Sequence, residues 1–145
     1  MPEAPALRVH TGIAQPWQCD VLGHLTTRFY VALFDEASYH FLFELFGWSG
    51  ASDDAGRRAF VDARHEIDYR QEVRAGTLLE IHARLERVGN KSLVARYAMR
   101  RRGGESETVA TLRATYVLFD LEARRALALD DELRRRAEAH LPATE

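Results

Sequence analysis

The sequence predicts an α+β domain in which one antiparallel sheet curls around one long, buried helix. Two observations carry this. From Arg28 to Phe46, apolar residues recur at helical spacing and spread well beyond one face. From Val61 to Phe119 the pattern switches to period two and holds through four successive runs. A block of strands segregated from the helix is the α+β order.

Each element follows from its residues. Thr27 is suited to cap the helix at its start, and Gly47 stands where a helix C-terminus accepts glycine. Tyr30, Leu33, Phe34, Ala37, Phe41 and Leu45 form its apolar stripe, which Phe29, Leu42, Phe43 and Phe46 widen. Polar residues are confined to Arg28, Asp35, Glu36, His40 and Glu44, so most of the helix should be wrapped. The first strand of the block runs Val61–Val73, with Val61, Ala63, His65, Ile67, Tyr69 and Val73 on one face and charges at every even position. The "RAG" turn at Arg74 leads to a strand with Leu79, Ile81, Ala83 and Leu85 inward. "GNK" at Gly89 turns the chain into one with Leu93, Ala95, Tyr97 and Met99 inward. "RGGES", from Arg102, makes the last hairpin. Thr108–Phe119 is apolar on both sides and should be central or lie at an interface. A short helix, "ELRRRAEAH", is capped by Asp130 or Asp131. "GASDDAG", from Gly50, is the candidate mobile loop.

The chain has 145 residues and no linker or repeat, which implies a single domain over 1–145. Net charge is -2, and "RYAMRRRGG" is the only strong basic cluster, so no nucleic-acid partner is expected. No apolar run nears the roughly 18 residues of a membrane span. The start lacks a signal-peptide pattern, and the one cysteine, Cys19, excludes an internal disulfide. A cytoplasmic location is expected. Histidines 10, 24, 40, 65, 82 and 140 show no ligand spacing, so no metal is expected.

The stretch "WQCDVLGHLTTRFY" holds one carboxylate, Asp20, among apolar neighbours, seven residues before Thr27. It is too far from the helix to cap it. With "IDYRQEVRAGTLLEIHARLERVGNKSLVARYAM" farther on, the chain resembles the hotdog fold, and more narrowly the 4-hydroxybenzoyl-CoA thioesterase-like family of acyl-CoA thioesterases. The resemblance runs from about Val9 to His140. It implies an acyl-CoA substrate, no bound cofactor beyond the coenzyme A of that substrate, and a homodimer or homotetramer with the site at the protomer interface. It makes Asp20 the catalytic carboxylate and the Thr27 backbone N–H the group that polarises the thioester carbonyl. Lys91 and Ser92 fall where relatives contact coenzyme A, with Lys91 serving the neighbour's Asp20. Where many relatives carry paired asparagines or a Tyr/His pair, this chain has Thr26 and Thr27.

The chemistry suits these residues. A thiol leaves with a pKa near 8.5, so a thioester needs little acid assistance. An aspartate, with a pKa of about 3.9, is ionised at neutral pH without a histidine partner. It can attack the carbonyl carbon or take a proton from water. A helix N-terminus offers N–H groups without intrahelical acceptors and the positive end of the dipole.

Plainer roles stand beside these. Asp20 can form a local turn, and His24 can either act in catalysis or hold the loop by a backbone hydrogen bond. Trp17, Tyr30 and Trp48 can line an acyl pocket or belong to the core or an interface. Glu36, His40 and Glu44 form a solvated edge, and Cys19 is a buried thiol. Arg100, Arg101 and Arg102 can meet coenzyme A phosphates or form a solvated hairpin. Two further readings are a non-catalytic acyl-CoA or acyl-carrier-protein binding module and a hotdog hydratase or dehydratase.

Overall fold

The structure is a computed structural model that describes residues 6–103 and 107–142. In chain order the elements are β1 (Leu7–Ile13), α1 (Thr27–Phe46), β2 (Arg58–Tyr69), β3 (Leu78–Val88), β4 (Ser92–Arg101), β5 (Thr108–Asp120), β6 (Arg125–Ala126) and α2 (Asp131–Glu138). All strands pair antiparallel in the order β1-β3-β4-β5-β2, with the short β6 on β5. Together with α1 against one face this is the expected hotdog architecture. Part of the "RGGES" hairpin, residues 104–106, lies outside the described residues, as do the chain ends.

The core forms where two periodicities meet. Tyr30, Leu33, Phe34, Ala37, Phe41, Leu42 and Leu45 of α1 lie against Leu79, Ile81 and Leu85 of β3, Leu93, Tyr97 and Met99 of β4, and Leu112, Tyr116 and Leu118 of β5. Each large side chain buried in this way contributes roughly 1.5–3 kcal/mol. The hydroxyls of Tyr97 and Tyr116 meet at 2.7 Å inside this core, and burial pushes both phenols well above their ordinary pKa. At Gly12 of β1 a Cβ would fall 2.8 Å from Leu33 Cδ2 of α1, so a larger residue there would require the Leu33 side chain to shift.

Four expectations need correction. The N-cap of α1 is Thr26, not Thr27, and its hydroxyl donates to Gln18 O at 3.3 Å, not to the helix. β2 ends at Tyr69, not Val73, because Arg70 and Gln71 both donate to Val109 O and break the ladder there. The chain then turns so that Val73 is fully buried. "GASDDAG" is held in place: Asp53 Oδ1 accepts from Arg57 N at 2.8 Å, and its Oδ2 pairs with Arg58 Nε at 3.1 Å. Cys19 is half-buried, its thiol 3.4 Å from Gln15 O.

The wrapping is also one-sided. Val31, Tyr39 and Phe43 leave an exposed apolar line along α1, beside the solvated Glu36, His40 and Glu44. β2 is an edge strand whose would-be inner face, including His65 and Tyr69, is exposed. Thr108–Phe119, by contrast, falls within β5, between β4 and β2. Asp130 is the cap of α2, accepting from Leu133 N at 2.8 Å. Trp48 is core, against Phe46 and Phe60.

Candidate active site

The loop before α1 is built by short-range bonds. A single 3-10 turn, Pro16–Gln18, leads into a bridge between Cys19 and Leu25. Asp20 opens a tight turn inside that bridge. Its backbone N–H donates to His24 O at 2.9 Å, and Gly23 N–H donates to Asp20 O at 3.0 Å. Gly23 has φ +80°, a conformation glycine adopts without a Cβ penalty. Asp20 Oδ1 accepts from Leu22 N at 2.8 Å and His24 N at 3.2 Å. The loop is anchored to the sheet side by Leu25 N to Val73 O, 2.8 Å, and Ala75 N to Gly23 O, 3.1 Å.

A cavity of about 350 Å³ opens beside this turn, lined by Asp20, Leu22, His24, Leu25, Thr27, Tyr30 and the segment Tyr69 to Glu72. Four residues named from sequence, Asp20, His24, Thr27 and Tyr30, therefore meet one space. Thr27 and Arg28 are the first two residues of α1, so the helix itself provides no acceptor for their N–H groups. Asp20 and Thr27 are exposed, and Asp20 Oδ2 has no hydrogen bond among the described residues. Tyr30 is 4% exposed; its hydroxyl donates to Gln71 O at 3.1 Å, and its ring meets Tyr69 edge-on at 5.2 Å. Burial holds the Tyr30 phenol above its ordinary pKa, against the nearby Arg101 cation that lowers it. It is a wall of the cavity, not an acid or base at neutral pH.

Sequence reasoning misses Tyr69, Arg70, Gln71 and Glu72 as cavity residues. The period-two pattern, with Gln71 its one exception, runs on through them to Val73, so they read as strand. Because the ladder stops at Tyr69, they fold over the cavity. Glu72 Oε2 lies 3.4 Å from His24 Nε2, so the imidazole faces a carboxylate. His24 thus holds the loop through its backbone and presents its ring to the cavity. Arg101, at the end of β4, clamps the same segment: it donates to Gln71 Oε1 at 2.7 Å and to Glu72 O at 2.6 Å.

The other three named residues lie elsewhere. Trp17 is 70% exposed, edge-on to Phe29 at 5.3 Å and outside the cavity lining. Lys91 and Ser92 sit at the opposite end of β4, near α2, where Lys91 O accepts from Leu118 N and Asn90 O from Leu129 N. The ten residues of β4 span about 30 Å, so neither reaches this chain's own Asp20. Among the described residues no group of three His, Cys, Asp or Glu side chains is placed to hold a metal ion.

Comparison with known proteins agrees with this fold. The family model of the thioesterase-like superfamily matches residues 14–137. The long-chain acyl-CoA thioesterase FadM of Escherichia coli (strain K12) is 30% identical over 124 residues, covering 84% of this chain and 90% of FadM. Among solved structures, YbaW, a probable thioesterase of Escherichia coli, is 27% identical with a TM-score of 0.74, covering 92% of this chain and 98% of that one. A Staphylococcus aureus protein crystallised with CoA shares the fold at 12% identity, with a TM-score of 0.79 and coverage of 100% and 91%. The match over residues 14–137 takes in the Asp20 turn, α1 and β2 to β6, and the chain belongs to the thioesterase-like superfamily.

Proposed function

We propose that this protein hydrolyses acyl-CoA thioesters to a free acid and coenzyme A, with Asp20 as nucleophile or general base and the Thr27 backbone N–H as oxyanion donor. The observation that carries the reading is the shared cavity: a carboxylate and a helix N-terminus line one space, and a thioester needs those two groups. In the nucleophilic route the carboxylate attacks the carbonyl carbon, the thiolate leaves, and water cleaves the resulting anhydride. In the general-base route the carboxylate takes the proton of the attacking water, and the same thiolate leaves. Each oxyanion donor is worth about 3 kcal/mol. No cofactor enters either route.

The site works in a homodimer or homotetramer. Supporting this, β2 has an unpaired outer edge, Tyr69, Tyr39 and Phe43 expose apolar surface, and Lys91 can serve only another chain's Asp20. The cytoplasm is the proposed setting. Among the described residues no helix is long and apolar enough to cross a membrane.

One observation favours a different reading, the non-catalytic binder: Asp20 Oδ1 is already committed to two backbone N–H groups of its own turn. Incubation with a panel of acyl-CoAs, following free thiol, decides between them. Steady thiol release supports the hydrolase. Tight binding without release supports the binder, and loss of enoyl absorbance without thiol would point to a hydratase.

A further inference from the structure

The sheet face turned away from α1 carries a second cavity, of about 280 Å³. Strand register explains it. His82, Ala98, Thr111 and Asp68 form one row across β3, β4, β5 and β2. The two small side chains in its middle, Ala98 and Thr111, leave a depression. The next row toward α2 is Arg84, Arg96, Arg113 and Glu66. Beyond the row in the other direction lie Arg100 and Arg70. All of these line the cavity.

The two ends differ in charge. Glu86 bridges Arg96 and Arg113 at 2.7 and 2.8 Å, and although burial raises its pKa, these two hydrogen bonds outweigh that and hold it below the ordinary carboxylate range. That end is an internal ion-pair network. At the other end, among the described residues, neither Arg100 nor Arg70 has an ion pair, and neither guanidinium donates a hydrogen bond. Asp68 also lines the cavity but lies beyond ion-pair distance of both. Arg100 is half-buried, and its Nε is fully buried with no partner. A half-buried guanidinium with no counter-ion favours an anion bound beside it. Arg70 lines this cavity and the Asp20 cavity alike.

We infer that the Arg100–Arg70 end of this groove is a phosphate-binding site that takes the nucleotide end of the thioester substrate. The inference rests on the acyl-CoA reading for the source of the phosphates, though not for the site itself. It gives a role to the basic cluster "RYAMRRRGG", and it places phosphate recognition on the same protomer as Asp20, apart from Lys91.

Two measurements test it, with circular dichroism and melting temperature confirming that Arg100→Gln folds. The first needs no catalysis: calorimetric titration with adenosine 3′,5′-bisphosphate. Wild type should bind it more weakly as salt rises, and R100Q should lose about tenfold or more in affinity. The second compares one acyl group carried on coenzyme A and on pantetheine. R100Q should raise KM for the acyl-CoA by about tenfold and move that for the acyl-pantetheine less than about twofold. No bisphosphate binding by wild type, or equal binding by R100Q, overturns the site. Arg100-dependent bisphosphate binding with an unchanged acyl-CoA KM also contradicts the proposal, assigning the groove to a free phosphorylated ligand. Arg100-dependent binding by a protein that hydrolyses no thioester keeps the site and removes the hydrolase reading instead.

Discussion

The two ends of β4 make opposite uses of similar material. At the Arg101 end, the loop before α1, the break after Tyr69 and the start of the helix enclose a polar cavity with exposed carboxylates. At the Lys91 end, the turn is closed against α2. Gly89 N donates to Ser92 O at 2.8 Å, Leu129 N donates to Asn90 O at 2.9 Å, and the Arg134 guanidinium donates to Gly89 O at 3.0 Å. A Cβ on Gly89 would fall 2.6 Å from Ser92 Oγ. One end is built to leave groups unsatisfied, the other to satisfy them. The lesson is that one protomer holds the proposed reacting groups at one end only, and anything the Lys91 end gives to catalysis it gives to a neighbour.

The largest effect expected from this contrast is at Asp20. Asp20→Asn should lower kcat by at least about a hundredfold with the melting temperature nearly unchanged, because the amide oxygen can still accept from Leu22 N and His24 N. Turnover within a few-fold of wild type would reduce Asp20 to a turn-former and erase the distinction between the two ends.

A smaller effect is expected at Lys91. Lys91→Glu should lower kcat/KM by about tenfold through weaker substrate binding. If the Lys91 end serves the neighbour, mixing unfolded K91E and D20N protomers and refolding them together should recover activity above either parent, since hybrids contain one site with both native residues. Recovery no greater than the sum of the parents would place Lys91 outside the site.

The smallest effect is at the cap of α2. Asp130 accepts from Leu133 N and pairs with Arg58 at 2.9 Å. Asp130→Asn should lower stability by about 0.5 kcal/mol in a denaturant titration at neutral pH, because the amide oxygen keeps the cap and only the charge toward Arg58 and the helix N-terminus is lost, and should leave turnover unchanged, because α2 packs at the end of its own protomer remote from Asp20. The backbone N–H of Leu133, with help from Arg58, holds this carboxyl below its ordinary pKa. A lowered folded pKa stabilises the protein above the unfolded value of about 3.9 and ceases to do so as pH falls through the folded value. The stability gap between wild type and D130N should therefore close below about pH 4. A gap that persists there would mean packing, not charge, sets the effect.

Legibility in the sequence follows the range of the interactions. β3, β4 and β5 are readable because one face of each meets α1 and the other carries charge or lies against solvent. Leu79, Ile81, Leu93, Met99 and Leu118 are all buried, as their alternation implies. β2 has the same alternation, yet its inward face is largely exposed, since α1 packs toward the β1 edge of the sheet and not over β2. Its end at Tyr69 is hidden because the cause, Val109 O receiving two donors, lies on β5, distant along the chain and adjacent only through strand pairing. The same long-range pairing carries Glu72 to His24 and Arg70 to both cavities, and no local pattern announces it. Asp20 and Thr27 stand out locally, as a lone acid and as the start of an apolar helix, but only the resemblance gives them roles. Lys91 and Ser92 are legible only by resemblance, which does not say that they lie at the far end of the protomer.

A crystal structure of the D20N variant bound to an acyl-CoA tests the central claim most directly. The account predicts the thioester carbonyl oxygen within hydrogen-bond distance of Thr27 N, with the substituted side chain at position 20 against the carbonyl carbon from the opposite side. A thioester bound with its carbonyl away from the α1 N-terminus, or seated in a cleft that position 20 does not line, would contradict it.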